Sequence, residues 1–307
     1  MNIGINAMPE NLASPAVAPV ESSATRLFYW SLRRELWENR AIYLGPLAAA
    51  ALFLLGYLIN MINLRRRLQG GGMLDPAQQH AVLAAPYEMA GALIMGTGFI
   101  VGIFYSLDAL YGERRDRSIL FWKSLPVSDL TSVLSKVTIP LVVLPLLSFA
   151  ITVVTQAIML LASRVVLLGT GLNLAILWTQ SSFLRFTLLL LYHIVTVHGL
   201  WYAPFYGWLL LVSAWAPRAP FIWAFLPPFA ISGFEKLAFN TSHFLTMLKD
   251  RLAGPENPAA PGSTLMQVMA ALTPGQFFSL PGLWIGLAIA GICLAAAVRL
   301  RKSRGPI

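Results

Sequence analysis

Tyr111-Gly112-Glu113-Arg114-Arg115-Asp116-Arg117-Ser118-Ile119-Leu120-Phe121-Trp122-Lys123-Ser124-Leu125-Pro126-Val127-Ser128-Asp129 is the densest run of charge in a mostly apolar chain. An apolar run of about 20 residues stands on each side, long enough to cross the ~30 Å hydrocarbon core of a bilayer. A polar block pinned between two spans has no room for a core of its own. It can form only a short surface element at the membrane face.

Composition agrees. Of 307 residues 57% are hydrophobic and 11% charged, whereas soluble domains carry about 25% charged residues. A lipid-exposed backbone must satisfy its own hydrogen bonds, so long apolar runs are read as helices. The fold class is an all-α polytopic membrane protein with six transmembrane helices, an N-terminal amphipathic interfacial helix and a short cytoplasmic coupling helix. The net charge of +9 does not call for nucleic acid, because the basic residues gather on one side. Arg26, Arg33, Arg34, Arg40, Arg114, Arg115, Arg117, Lys123, Lys136, Arg218, Arg299, Arg301, Lys302 and Arg304 all fall there, as the positive-inside bias requires. Arg65-Arg66-Arg67 falls on the other side, against that bias. Cys293, the single cysteine, lies within an apolar run and excludes an intrachain disulfide.

Residues 1–25 are rich in Ala, Pro, Ser and Asn and read as a disordered cytoplasmic tail, and 26–307 as one transmembrane domain. From Arg26 to Arg40 the apolar residues Phe28, Tyr29, Leu32 and Leu36 share one helical arc. Arg26, Arg33 and Arg40 recur along its edge beside Trp30 and Trp37, the pattern of a helix lying in the interface. Spans are expected at about 41–62, 87–107, 137–162, 183–215, 221–239 and 281–298. The fourth is too long for one straight crossing at ~1.5 Å per residue, so it is tilted or broken near Gly199 and Pro204. Pro140 and Pro145 predict a kinked start to the third span, and Pro227-Pro228 makes the fifth a poor continuous helix. Gly98 and Gly102 form a small-xxx-small pair suited to close packing.

Ser118 to Leu125 predicts a short helix stopped by Pro126, with Ser128 or Asp129 capping the next one. No Gly-x-x-x-x-Gly-Lys-Ser/Thr run occurs, so the chain carries no phosphate loop of its own. Gln156, His193 and His198 are the polar candidates for a substrate path through the spans. At α-helical spacing His193 and His198, five apart, do not share a face as a metal pair at i, i+4 would.

Glu113-Arg114-Arg115-Asp116 followed by Ser124-Leu125-Pro126-Val127-Ser128 resembles the segment after the second span in permease subunits of the ABC type-2 exporter class. Arg117 stands where a glycine is usual there, and Leu120 where an acidic residue is usual. The resemblance implies a permease in a bacterial cytoplasmic (inner) membrane, multi-pass, with both termini cytoplasmic. It implies a second permease subunit (homodimer or heterodimer), contact with membrane lipid, and a separate ATP-binding-cassette ATPase subunit that holds ATP and Mg. No cofactor is expected on this chain and no nucleic acid partner. Glu113, Arg114, Arg115 and Asp116 would give the polar contacts to that ATPase, and Phe121, Trp122 and Leu125 the apolar anchor. Two other readings stand beside it: an intramembrane enzyme acting on lipid or peptide through His193, His198 and Glu235, and an ABC-linked module without transport.

Overall fold

The computed structural model describes residues 24–69, 85–125, 127–167, 183–255, 273–305 and 307. Nearly all of the expected tail, the Pro126 stop and the long connections between spans lie outside the described residues. Among the described residues the chain is helical, with no strand. The elements are α1 (Ala24–Glu38), α2 (Ala41–Gln69), α3 (Ala85–Asp108), α4 (Tyr111–Arg115), α5 (Ser118–Ser124) and α6 (Asp129–Thr138). A π-helical turn, π1 (Ile139–Val143), leads into α7 (Leu144–Leu167). Then follow α8 (Phe183–His193), a second π segment π2 (Ile194–Trp201), α9 (Ala203–Trp215), α10 (Pro220–Phe239), α11 (His243–Ala253), α12 (Pro274–Ser279) and α13 (Pro281–Ser303).

Four stretches are long and apolar enough to cross a bilayer: Ala41–Arg66, Ala85–Arg115, Asp129–Val166 and Pro281–Ser303. Arg185–Trp201 and Ala203–Trp215, bent by 45°, make a fifth if taken as one span. The chain is thus an all-α membrane protein, and the six spans expected from sequence become four or five. The stretch at 221–239 is not among them, although those residues do form α10, with Glu235 and Lys236 near its end, and 183–215 counts only if its two bent halves are one span.

Local chemistry explains the breaks. Pro140 does not produce a simple kink; the helix widens into π1, which absorbs the missing proline donor. α10 continues through Pro227 and Pro228. Pro228 has no amide to offer the Ala224 carbonyl, and the Trp208 indole N–H donates to it instead at 3.1 Å. The long fourth run breaks at Tyr202, between the two expected positions.

Packing sorts the molecule into two ends. At one, the hydroxyls of Tyr57 and Tyr87 meet Ser163 at 2.7 and 3.2 Å, tying α2, α3 and α7. At the other, Ile42, Tyr105, Leu110, Val137, Leu210 and Ala297 form one buried cluster. Lipid tails are as apolar as these side chains, so within a bilayer close fit rather than transfer from water holds them. Gly98 shows that fit: a Cβ there would lie 2.4 Å from the Ser148 hydroxyl. The Gly98–Gly102 pair therefore seats α3 against α7 and against Tyr206 of α9 inside this chain.

Candidate functional site

The charged segment between α3 and α6 folds as a two-helix elbow. α4 runs from Tyr111 to Arg115, and Arg117 then takes the left-handed conformation (φ 58°, ψ 7°) that reverses the chain into α5. This is the position where the resembling family has glycine, whose missing Cβ makes that conformation easy. Leu125 is extended, as a residue before proline must be, and the Ser128 hydroxyl accepts the Thr131 amide at 3.0 Å to start α6.

A buried ion network clamps the elbow from within. The Glu113 carboxylate accepts from Arg34 of α1 at 3.1 Å and Arg301 of α13 at 3.1 Å, with Lys136 of α6 at 3.2 Å. Lys136 and Arg34 also donate to Glu35 at 2.8 and 2.7 Å, and the Tyr105 hydroxyl of α3 donates to its other oxygen at 2.8 Å. Arg301 donates to Asp129 as well. Three acids and three bases thus meet, joining α1, α3, α4, α6 and α13, and Glu38 reaches Arg34 at 3.4 Å from the edge. Burying charge gains little net energy, but removing one member strands the rest, so such a network fixes geometry more than it adds stability.

Arg114 faces the other way, donating to the carbonyls of Ala214 and Ala216 at 2.7 and 3.2 Å, where α9 ends. The Ser213 hydroxyl accepts the amides of Leu110 and Tyr111 at 3.0 and 2.9 Å. The elbow is therefore bolted to α9 too.

Of the residues expected to meet an ATPase, Glu113 and Arg114 are buried and spent on this chain. Their charge is needed where helix ends converge. Trp122 is half-buried under the Arg34 guanidinium, 3.7 Å from its ring centroid. It borders a groove of about 300 Å³ shared with Leu27, Trp30, Leu125 and Val127. The outward face belongs to Arg115 and Asp116, paired at 2.9 Å, and to Leu120, Phe121 and Leu125, with Phe121 60% exposed. On α1, Arg26 is exposed, as is Arg40 just beyond its end. Arg33 lies between the exposed Trp30 and Trp37, 5.2 and 4.9 Å from their rings.

The polar residues within the spans do not converge on one path. Gln156 is buried and donates to the Tyr87 carbonyl at 3.0 Å, tying α7 to α3. His193 and His198 do meet, with ring centroids 5.8 Å apart, contrary to the α-helical expectation. The π winding of Ile194–Trp201 repeats closer to every five residues and puts both on one side. His198 borders a tight pocket with Gly98, Ser148 and Tyr206. Ser148 is two turns, about 12 Å, from Gln156 along α7. Glu235 is occupied elsewhere, accepting from Thr241 and from the amides of His243 and Phe244 at 2.8, 2.7 and 2.9 Å. Among the described residues no group of three His, Cys, Asp or Glu could hold a metal.

Sequence reasoning missed Glu35, Lys136 and Arg301 as site residues. Glu35 left a signal: it stands three residues after Leu32 and seven after Phe28, an acid on the apolar arc of α1. Arg301 left none beyond its place in a basic tail.

Compared with known proteins, the chain matches no family model, no curated protein and no solved structure.

Proposed function

We propose that this chain is the membrane-embedded permease subunit of an ATP-driven transporter, energised by a separate ATP-binding-cassette subunit and resembling the ABC type-2 exporter class. One observation carries the reading: the elbow at Tyr111–Ser124 is held on its inner face by four helices, α1, α6, α9 and α13, yet leaves Leu120 and Phe121 exposed at 57% and 60%. A free loop between spans needs no such clamp. A lever does, because force applied at its outer face must reach the helices without being lost in side-chain motion.

In this reading Arg115, Asp116, Leu120, Phe121 and Leu125 form the docking face. Glu113, Arg114 and Trp122 transmit movement to α1, α9 and α13. ATP and Mg lie on the partner, a second permease subunit pairs with this one, and α1 rides in the lipid interface with its Arg–Trp edge. We count α10 as a sixth crossing. It starts beside the charged end, where Phe221 stacks on Phe104 and Trp223 meets Trp215. Its 20 residues reach about 30 Å. With six crossings both termini share the cytoplasmic side of an inner membrane.

The test is purification of the tagged full chain from its native host, followed by ATPase assay. An ATP-binding protein should co-purify, and the Leu120→Ala/Phe121→Ala pair should lower retention or ATPase stimulation at least about tenfold, as loss of an interface anchor does. The unfolding temperature should stay unchanged. Nucleotide hydrolysis by the chain alone, or full stimulation in the double variant, overturns the docking face. Uptake into vesicles by the complex separates a transporter from a module that only transmits force.

A further inference from the structure

A cavity that the coupling reading leaves without a role lies at the other end of α13. It holds about 640 Å³, among Trp201, Ser242, His243, Thr246, Arg251 and Gly282. Arg251 sits with its guanidinium carbon 4.0 Å from the centre of the Trp201 ring. Its Nη1 donates to the Gly282 carbonyl at 2.8 Å, while Nε and Nη2 are buried with no hydrogen-bond partner. Among the described residues no carboxylate pairs with it. Glu235 is taken up by Thr241 and the first amides of α11, and Asp250, on the cavity rim, forms no ion pair with it.

Arginine cannot discharge itself by losing a proton, so a partly buried guanidinium with two idle donors lacks a counter-anion. Its place in the fold indicates which kind. Gly286, against which the guanidinium lies, precedes Arg301 by fifteen residues, about 22 Å along α13. With the Arg301 network at one face of a ~30 Å hydrocarbon core, Arg251 falls near the headgroups of the opposite leaflet. Exposed Phe239, Met247 and Leu252 on α10 and α11 supply apolar surroundings for acyl chains.

We propose that this cavity binds a phosphate-bearing anion, held by Arg251 with Ser242 and His243 as further donors and Trp201 as its floor. The phosphate is a phospholipid headgroup of the facing leaflet or a free phosphate. The site is independent of ATPase docking, so failure of either leaves the other standing. Gly286 offers a clean handle. An alanine Cβ there would come 2.0 Å from Arg251 Nη2, displacing a flexible side-chain end while favouring the helix.

The purified full chain in detergent should gain thermal stability with phosphatidylglycerol and none with diacylglycerol of the same acyl chains. Arg251→Gln and Gly286→Ala should each abolish the gain and lower the number of phospholipids retained in native mass spectrometry. An Arg251-dependent gain from inorganic phosphate alone assigns the site to soluble phosphate; a gain confined to the lipid assigns it to headgroups. Equal gains from phosphatidylglycerol and diacylglycerol, or gains that survive both substitutions, overturn the proposal. Should Arg251→Gln fail to fold, Gly286→Ala decides.

Discussion

At one end of α13 Arg301 is buried between Glu113 and Asp129, while near the other Arg251 lies on Gly286 with one carbonyl and one indole ring for partners. The same side chain is paired with two carboxylates in one place and with none in the other. At the ion-paired end, of the Arg301 nitrogens only Nε is left without a partner, and the charges hold helix ends in register. The other end joins α11 to α13 through the Gly282 carbonyl and leaves two guanidinium nitrogens, Nε and Nη2, without a partner. Polar groups in a membrane protein thus split into those that define the frame and those that face a visitor.

The sharpest way to break that contrast is to neutralise each arginine in turn. Arg301→Gln leaves Asp129 and one oxygen of Glu113 without their cation, and should cost about 3 kcal/mol. In lipid-free detergent Arg251→Gln should lower the heat-unfolding midpoint less, since it loses the Gly282 carbonyl and the Trp201 ring but no ion pair. Equal losses would mean that both ends are structural.

A smaller effect probes the hinge of the elbow. Arg117 holds φ 58°, which costs a residue with a Cβ about 1 kcal/mol. Arg117→Gly should raise the unfolding midpoint accordingly, and a fall would show that the Arg117 side chain supports the turn.

The smallest effect concerns Glu38, at the edge of the ion network. Burial, with Glu35 and Glu113 nearby, raises its carboxyl above the ordinary value despite the Arg34 attraction. A raised carboxyl opposes folding once ionised, so the penalty is absent below the unfolded value near pH 4 and grows as pH rises through the folded one. Glu38→Gln should therefore match wild type at about pH 4 and be slightly more stable at pH 7, by less than about 0.5 kcal/mol after solvent screening. Stability that falls at pH 7 would show the Arg34 contact dominating instead.

Much of the frame was legible in sequence because its causes are local. Apolar run length placed α2, α3, α7 and α13, helical periodicity placed α1, and residue type placed the Ser128 cap and the short α5. The helix at 221–239 was legible too, but it is not among the stretches long and apolar enough to cross a bilayer. The winding of π2 was not legible. Periodicity assumes one pitch, and the change that brings His193 to His198 depends on which helices press against it.

The sequence by itself determined a helical membrane protein with one charged elbow and an arginine–tryptophan-edged helix beside it. Hydropathy and capping act over a few residues and need no knowledge of partners. Only the tertiary structure decided that Glu113 faces Arg301, 188 residues away, and that Glu35 meets Lys136 across 101. It alone left Arg251 waiting over Gly286. Coulomb and hydrogen-bond partners are set by which helix ends arrive at one place, and that follows from packing the whole bundle.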